Sequence, residues 1–368
     1  RRCRIDSIDS IRLSYSAMDA GASDRPARPT LAAVAARAGV SPSTASLAFS
    51  GAGPVSESTR ARVLEAARAL DYGGPDPRAQ SLRRGRSGIV GVVMEDRLRE
   101  AFRDPMNIAM LDGLADELGP AGLGLLLLTE PGSGGAGLSL APVDAVVLVG
   151  CSPQLDKAVV VLHQRGIPVV AIEAEPMADV LSIDLDNADA TARAARHLRD
   201  LGHADVALVT LPLEPSHARG ALTEERLAAS TAFTAKERIR GARQVFPDAG
   251  GVVAAGSSVE EGMIAGRELL RGSRPTAVIA QSDLLALGVV RAAEELGIRV
   301  PEELSVVGFD GVRIEGAAPW ELTTLVQPAV EKGRAAGAAV VELLAGVTPE
   351  PRAFTSELRL GNTTARRA

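Results

Sequence analysis

The sequence predicts an α/β chain in two parts: an N-terminal three-helix unit containing a helix-turn-helix, then two doubly wound lobes built on parallel sheets. Three observations carry this. Small residues and one glycine fall at fixed places between Thr30 and Ser50. Eight short apolar runs alternate with helical stretches beyond Gly88. The 368 residues also exceed what one hydrophobic core usually organises. Apolar residues at 46% and charged residues at 23% suit a folded chain and exclude wholesale disorder.

Residues 1–29 lack sustained periodicity and read as a disordered tail, or as residues upstream of a start at Met18. The helix-turn-helix domain is expected over 30–77. Thr30 is placed to cap a first helix with Leu31, Val34, Ala35 and Ala38 on its apolar face. Gly39 supplies the positive φ that ends it, and Ser41 caps a second helix that turns Ala45, Ala48 and Phe49 inward. Ser56 caps a third, with Val63, Leu64, Ala67 and Leu70 on one face. The turn-rich DYGGPDP at 71–77 leads into a linker over 78–88. Strands follow at 89–94, 123–128, 145–150 and 168–173, then at 205–210, 251–256, 276–281 and 304–309. Continuous apolar strands separated by helices indicate parallel sheets covered on both faces, so 89–368 reads as a two-lobed body.

Charge divides the same way. Residues 1–88 hold 14 arginines and no lysine against 8 acidic residues, leaving 26 basic against 38 acidic over 89–368. A basic head on an acidic body suits a chain whose head alone meets a polyanion. The apolar runs are far shorter than the roughly 20 residues of a membrane span, and no secretory signal is visible. Cys3 and Cys151 cannot form a disulfide framework or a thiolate metal site, so a cytoplasmic chain without metal or cofactor is expected.

Counting from Leu31, Ala35 is fifth, Gly39 ninth, Ala45 fifteenth and Ala48 eighteenth. The fifth place needs a small side chain where two helices approach, and the ninth a left-handed backbone. The last two bury the second helix. With that helix in a major groove, Pro42, Ser43 and Leu47 meet base edges, Ser43 by hydrogen bonding and the other two by apolar contact. Ser41, Thr44, Ser46 and Ser50 suit phosphate contacts, with Thr30 at the first helix's start counted among the DNA-facing residues. Arg60, Arg62, Arg83, Arg84 and Arg86 supply the electrostatic part.

The stretch TLAAVAARAGVSPSTASLAFSGAGPVSESTRARVLEAARALDY resembles the headpiece of the lactose-repressor/galactose-repressor (LacI/GalR) family of bacterial transcription regulators. The likeness continues through RAQSLRRGRSGIVGVV, IDLDNADATARAARHLRDLGH, PTAVIAQSDLLALGVVRAAEELGIRVPEELSVVGFDG and APWELTTLVQPAVEKGRAAGAAVVELL. It implies a periplasmic-binding-protein-like body and a hinge helix at 78–84. There Leu82 would wedge between base steps, flanked by Ala79 and Gln80. The resemblance also implies a cleft for a small-molecule effector, a sugar or related metabolite. Arg238 and Asp310 stand where the family contacts ligand. Ser282 occupies a place often held by asparagine, followed by Asp283. Glu173 ends the fourth strand, while Asp104 and Met106 lie after the first. Two departures matter. Leu47 stands where many relatives carry arginine, and Ser257 where an aromatic usually stacks on a pyranose, which favours a smaller or more polar effector.

The expected partners are thus a palindromic DNA duplex, a small effector and a second copy of the chain, with no membrane. An enzyme is disfavoured: no G-x-G-x-x-G opens a helix after a strand, no G-K dipeptide exists for a phosphate loop, and no G-x-S-x-G or H-E-x-x-H occurs. A two-lobed solute-binding protein without DNA regulation is the alternative, and the headpiece argues against it.

Overall fold

The computed structural model describes residues 29–51, 53–75, 85–94, 102–129, 138, 140–150, 156–272 and 274–367. The chain divides into two compact units between Gly85 and Arg86.

The first unit holds α1 (Leu31–Ala38), α2 (Pro42–Ser50) and α3 (Glu57–Ala69). Each starts on a hydroxyl cap: Thr30, Ser41 and Ser56 accept the Ala33, Thr44 and Thr59 amides at 3.2, 3.1 and 3.3 Å. Gly39 ends α1 at φ 65°, a conformation that costs a residue with a Cβ about 1 kcal/mol or more. The core is made of small residues: Val34, Ala35, Ala38, Ala45, Ala48, Val63, Ala66 and Ala67. Phe49 is half-buried and meets Tyr72 edge to face at 5.6 Å. Ala66 takes the inward place expected of Leu64, which is half-buried.

The second unit has two sheets. In the N-terminal lobe, β1 (Ile89–Met94), β2 (Gly124–Thr129), β3 (Ala145–Val149), β4 (Val169–Ile172), β5 (Leu181–Leu185) and β12 (Arg352–Phe354) run parallel in the order β12-β5-β4-β3-β1-β2. In the C-terminal lobe are β6 (Val206–Thr210), β7 (Gly220–Ala221), β8 (Gly251–Val253), β9 (Ala277–Ala280), β10 (Ser305–Asp310), β11 (Thr323–Val326) and β13 (Glu357–Arg359). Their order is β13-β11-β10-β9-β6-β8-β7, parallel except at the two edge pairs.

Helices cover both faces of each sheet. The first lobe takes α4 (Pro105–Leu118), α5 (Asp156–Gln164) and α11 (Ala329–Leu344). The second takes α6 (Asn187–Asp200), α7 (Glu224–Ala229), α8 (Phe233–Arg243), α9 (Val259–Gly272) and α10 (Asp283–Glu295). The chain therefore crosses between lobes three times: after β5, after β11, and between β12 and β13. Asp186 ties two crossings together by accepting the Ser356 amide at 2.8 Å and Arg193 at 2.7 Å.

All eight expected strands form: β1 has the expected bounds, β2 and β10 are shifted by one residue, and the other five are trimmed by one to three. Five more form that periodicity did not show: β5, β7, β11, β12 and β13. Their sequences, such as LSIDL and TTLV, mix hydroxyls or charge with apolar residues, so no continuous apolar run marks them. The antiparallel edges at β7 and β13 are also unforeseen. They cap a sheet whose interior is parallel.

Candidate functional site

Two constellations stand out, one in each unit. On α2, Ser43, Leu47 and Ser50 are exposed at i, i+4 and i+7, one helix face, with Pro42 exposed at the helix start. Leu47 is 39% exposed, a large apolar side chain on the face opposite the Ala45 and Ala48 contacts. Ser41 Oγ lies 2.8 Å from the hydroxyls of both Ser43 and Thr44, so three hydroxyls gather at the N-terminus of α2. There the helix dipole and free amides favour an anionic oxygen. Thr30 is exposed at the start of α1. Ser46 and Arg60 are half-buried, and Arg62 is exposed on α3. Ala79, Gln80, Leu82, Arg83 and Arg84 lie outside the described residues.

In the second unit, the carboxyl ends of the strands gather charged side chains that are almost wholly out of water. Glu173 follows β4 with φ 52°, Asp310 ends β10 and Asp104 caps α4. Arg238, 3% exposed on α8, lies between them. Its Nη2 is 3.9 Å from Glu173 and its Nη1 3.8 Å from Asp310, so the guanidinium is flanked by both carboxylates rather than bonded to them. Arg238 is held instead by Asn187 Oδ1 at 2.8 Å, by the Gln281 carbonyl, and by the Phe309 ring 3.6 Å beneath it.

The carboxylates differ because their neighbours differ. Burial alone would raise Glu173, but Lys332, Arg238 and the bond from Asn187 outweigh it and hold the group below its ordinary value. Burial raises Asp310 well above the usual range. Arg238 opposes the rise, and Asp104 and Asp283 add to it. Asp104 is raised by burial against the Met106 amide, the Ser257 hydroxyl and Arg238. The cluster thus mixes strong donors with carboxyl groups of both tendencies, which suits hydroxyl groups that donate and accept.

The structure brings Asp104, Glu173, Arg238 and Asp310 together, with Ser282 alongside through its 2.9 Å bond to Ser257. Met106 is half-buried and contributes its amide to Asp104. Asp283 is fully buried and engaged within its own lobe, accepting Thr324 Oγ1 at 2.5 Å and the Val312 amide at 2.9 Å. Burial pushes its carboxyl up to about 7.

Sequence reasoning missed Lys332, Gln327, Asn187 and Gln281. Lys332 is 0% exposed and donates to both Glu173 and Gln327. Gln327 in turn donates to Asp310 at 2.5 Å, and Asn187 to Glu173 at 2.7 Å. A signal existed: Lys332 shares the face of Ala329, Gly333, Ala336 and Val340, and a lysine on an apolar stripe needs a buried partner. Among the described residues no group of three or more His, Cys, Asp or Glu is arranged for a metal ion. No described helix is long and apolar enough to cross a membrane.

Both parts of the chain match known proteins. Residues 30–74 match bacterial regulatory proteins of the lacI family, and residues 195–364 match the periplasmic binding protein-like domain. An HTH-type transcriptional regulator of Mycolicibacterium smegmatis is 35% identical over 333 residues, spanning 85% of this chain and 90% of that protein. Among solved structures, a complex of the transcriptional regulator CelR with cellobiose is 26% identical, with a TM-score of 0.63 over 91% of this chain and 100% of its own. The lac repressor dimer bound to operator and the anti-inducer ONPF has the same fold, with a TM-score of 0.72 at 23% identity, over 92% and 99% of the two chains. With a helix-turn-helix headpiece on a two-lobed body and these relatives across most of its length, the chain belongs to the LacI family of DNA-binding transcription regulators.

Proposed function

We propose that this regulator is a homodimeric repressor whose affinity for a palindromic operator is set by a small, neutral, polyhydroxylated effector held by Asp104, Glu173, Arg238, Asp310, Ser257 and Ser282. The observation that carries the reading is the guanidinium of Arg238 placed between two carboxylates at 3.8 and 3.9 Å where the two lobes face each other. Hydroxyl groups accept from its N–H groups and donate to the carboxylates at once. The cellobiose bound by the CelR relative supports the sugar class. The few aromatics, 2% of the chain, support an effector held by polar contacts more than by stacking.

On DNA, Pro42, Ser43 and Leu47 read base edges. Thr30, Ser41, Thr44 and Ser50 set register on phosphates, and Leu82 with Ala79 and Gln80 enters the minor groove. The domain limits that go with this are 30–77 for the headpiece, 78–88 for the hinge and 89–368 for the effector body, after a tail over 1–29. The protein works in the cytoplasm on nucleoid DNA.

Thermal-shift measurements with cellobiose, ribose and a set of linear and cyclic polyols test the reading. A true effector at a hundred times its dissociation constant stabilises the native state by about 2.7 kcal/mol. Arg238→Ala is expected to abolish the shift; a full shift in that variant removes the assignment of the cleft.

A further inference from the structure

We infer that Lys332 is a positioning residue that links the effector cluster to the segment entering from the DNA-binding unit, with α11 as the connecting rod. The inference rests on the proposed effector site for what pulls on Lys332. The link itself is a property of the unliganded chain.

At its cleft end, α11 is joined to both lobes through one amine. Lys332 donates to Glu173, which belongs to the N-terminal sheet, and to Gln327, which sits in the crossing after β11. Gln327 donates on to Asp310 of the C-terminal sheet, and Asn187, at the crossing after β5, joins Glu173 to Arg238. The six side chains form a ring: Lys332, Glu173, Asn187, Arg238, Asp310, Gln327. Five of its edges are hydrogen bonds, and the sixth, Arg238 to Asp310, is 3.8 Å. An effector hydroxyl placed between Arg238 and Asp310 acts on that sixth edge, and the ring carries the change to Lys332.

Along its length, α11 has no slack. It lies parallel to α4, and a Cβ on Gly333 would stand 2.1 Å from the Met110 carbonyl oxygen, with Gly113 meeting Val330 in the same way. Backbones packed with no room for a Cβ between them make the two helices one block, because packed interfaces shift as units rather than stretch. About 18 Å further on, at 1.5 Å per residue, Leu344 gives its carbonyl to Arg86 Nη2 at 3.0 Å. Arg86 opens the second unit. The two residues after it are clamped by one carboxylate: Asp144 accepts the Ser87 amide at 2.7 Å, the Ser87 hydroxyl at 2.9 Å and the Gly88 amide at 2.7 Å. A displacement of α11 at Lys332 therefore reaches residues 86–88.

Hydrogen exchange followed by mass spectrometry on the full chain, without effector, tests the link. Lys332→Met is expected to speed amide exchange about tenfold at 85–90 as well as at 326–330, with β6 and β9 unchanged. The double variant Lys332→Met with Glu173→Gln removes the carboxylate left without its amine. It is expected to recover thermal stability but not the slow exchange at 85–90. Arg86→Ala is expected to speed exchange at 343–347. The link is overturned if 85–90 keeps wild-type exchange in both lysine variants, if the double variant restores it, or if β6 and β9 accelerate equally. It is also overturned if 343–347 is unmoved by Arg86→Ala. None of these readouts uses an effector, so a failed effector assignment appears separately, as an unaltered thermal shift in Arg238→Ala.

Discussion

Asp283 shows how burial turns an acidic residue into a pH-dependent element of stability. It is fully buried at the start of α10, and its carboxyl is pushed up to about 7 from 3.8. A folded value above the unfolded one means the native state holds the proton more tightly. This contribution is therefore complete below about pH 4 and is lost as pH rises through 7. Asp283→Asn keeps the shape and can still meet Thr324 and Val312. Its melting temperature is expected to fall less than that of the wild type between pH 4 and 8. Parallel curves would show that Asp283 does not titrate in that window. Glu173 acts in the opposite sense: its lowered value contributes stability above about pH 4.5 that disappears as pH falls further. At this scale Arg238 and Asp310 were legible through family resemblance. Lys332 was not, because helical periodicity counts a lysine as a surface residue until its buried partner is known.

Among the elements, α11 and α2 represent two kinds of constraint. The path of α11 along α4 is set by close approach, so Gly333→Ala forces a methyl against the Met110 carbonyl. The expected cost is about 2 kcal/mol, read as a lower midpoint in urea with unchanged slope. A neutral result would mean that the helices separate more easily than their spacing indicates. The helix α2 is short and sets its ends chemically, by the Ser41 cap and by Gly51 at φ 69°. Such signals are local, and the Thr30, Ser41 and Ser56 caps and the helix-ending Gly39 were readable in advance, whereas Gly51 was not among them. Strands β5 and β11 were not. Thr323 and Thr324 are fully buried in β11 because their hydroxyls find partners in Thr364, Gly361 and Asp283, and the Thr323 amide finds the Thr363 hydroxyl, all distant in sequence.

For the whole molecule, the proposed homodimer, with its two headpieces on a two-fold axis, requires an inverted repeat. Duplexes selected from a random pool by the full chain are expected to carry one, and complex formation is expected to weaken steeply as salt rises. Recovery of single, asymmetric sites would contradict the dimeric reading. The division into a helical head and a parallel-sheet body was determined by the sequence alone, since small residues at fixed spacing and unbroken apolar runs leave few ways to bury them. The same holds for the capped ends of α1, α2 and α3. Only the tertiary structure decided which polar side chains share the buried cluster. The ring from Lys332 to Arg238 draws on residues 173, 187, 238, 310, 327 and 332, brought together by crossings that return the chain between lobes. Local propensity cannot register such a cluster, because each member is stabilised by partners that only the folded chain supplies.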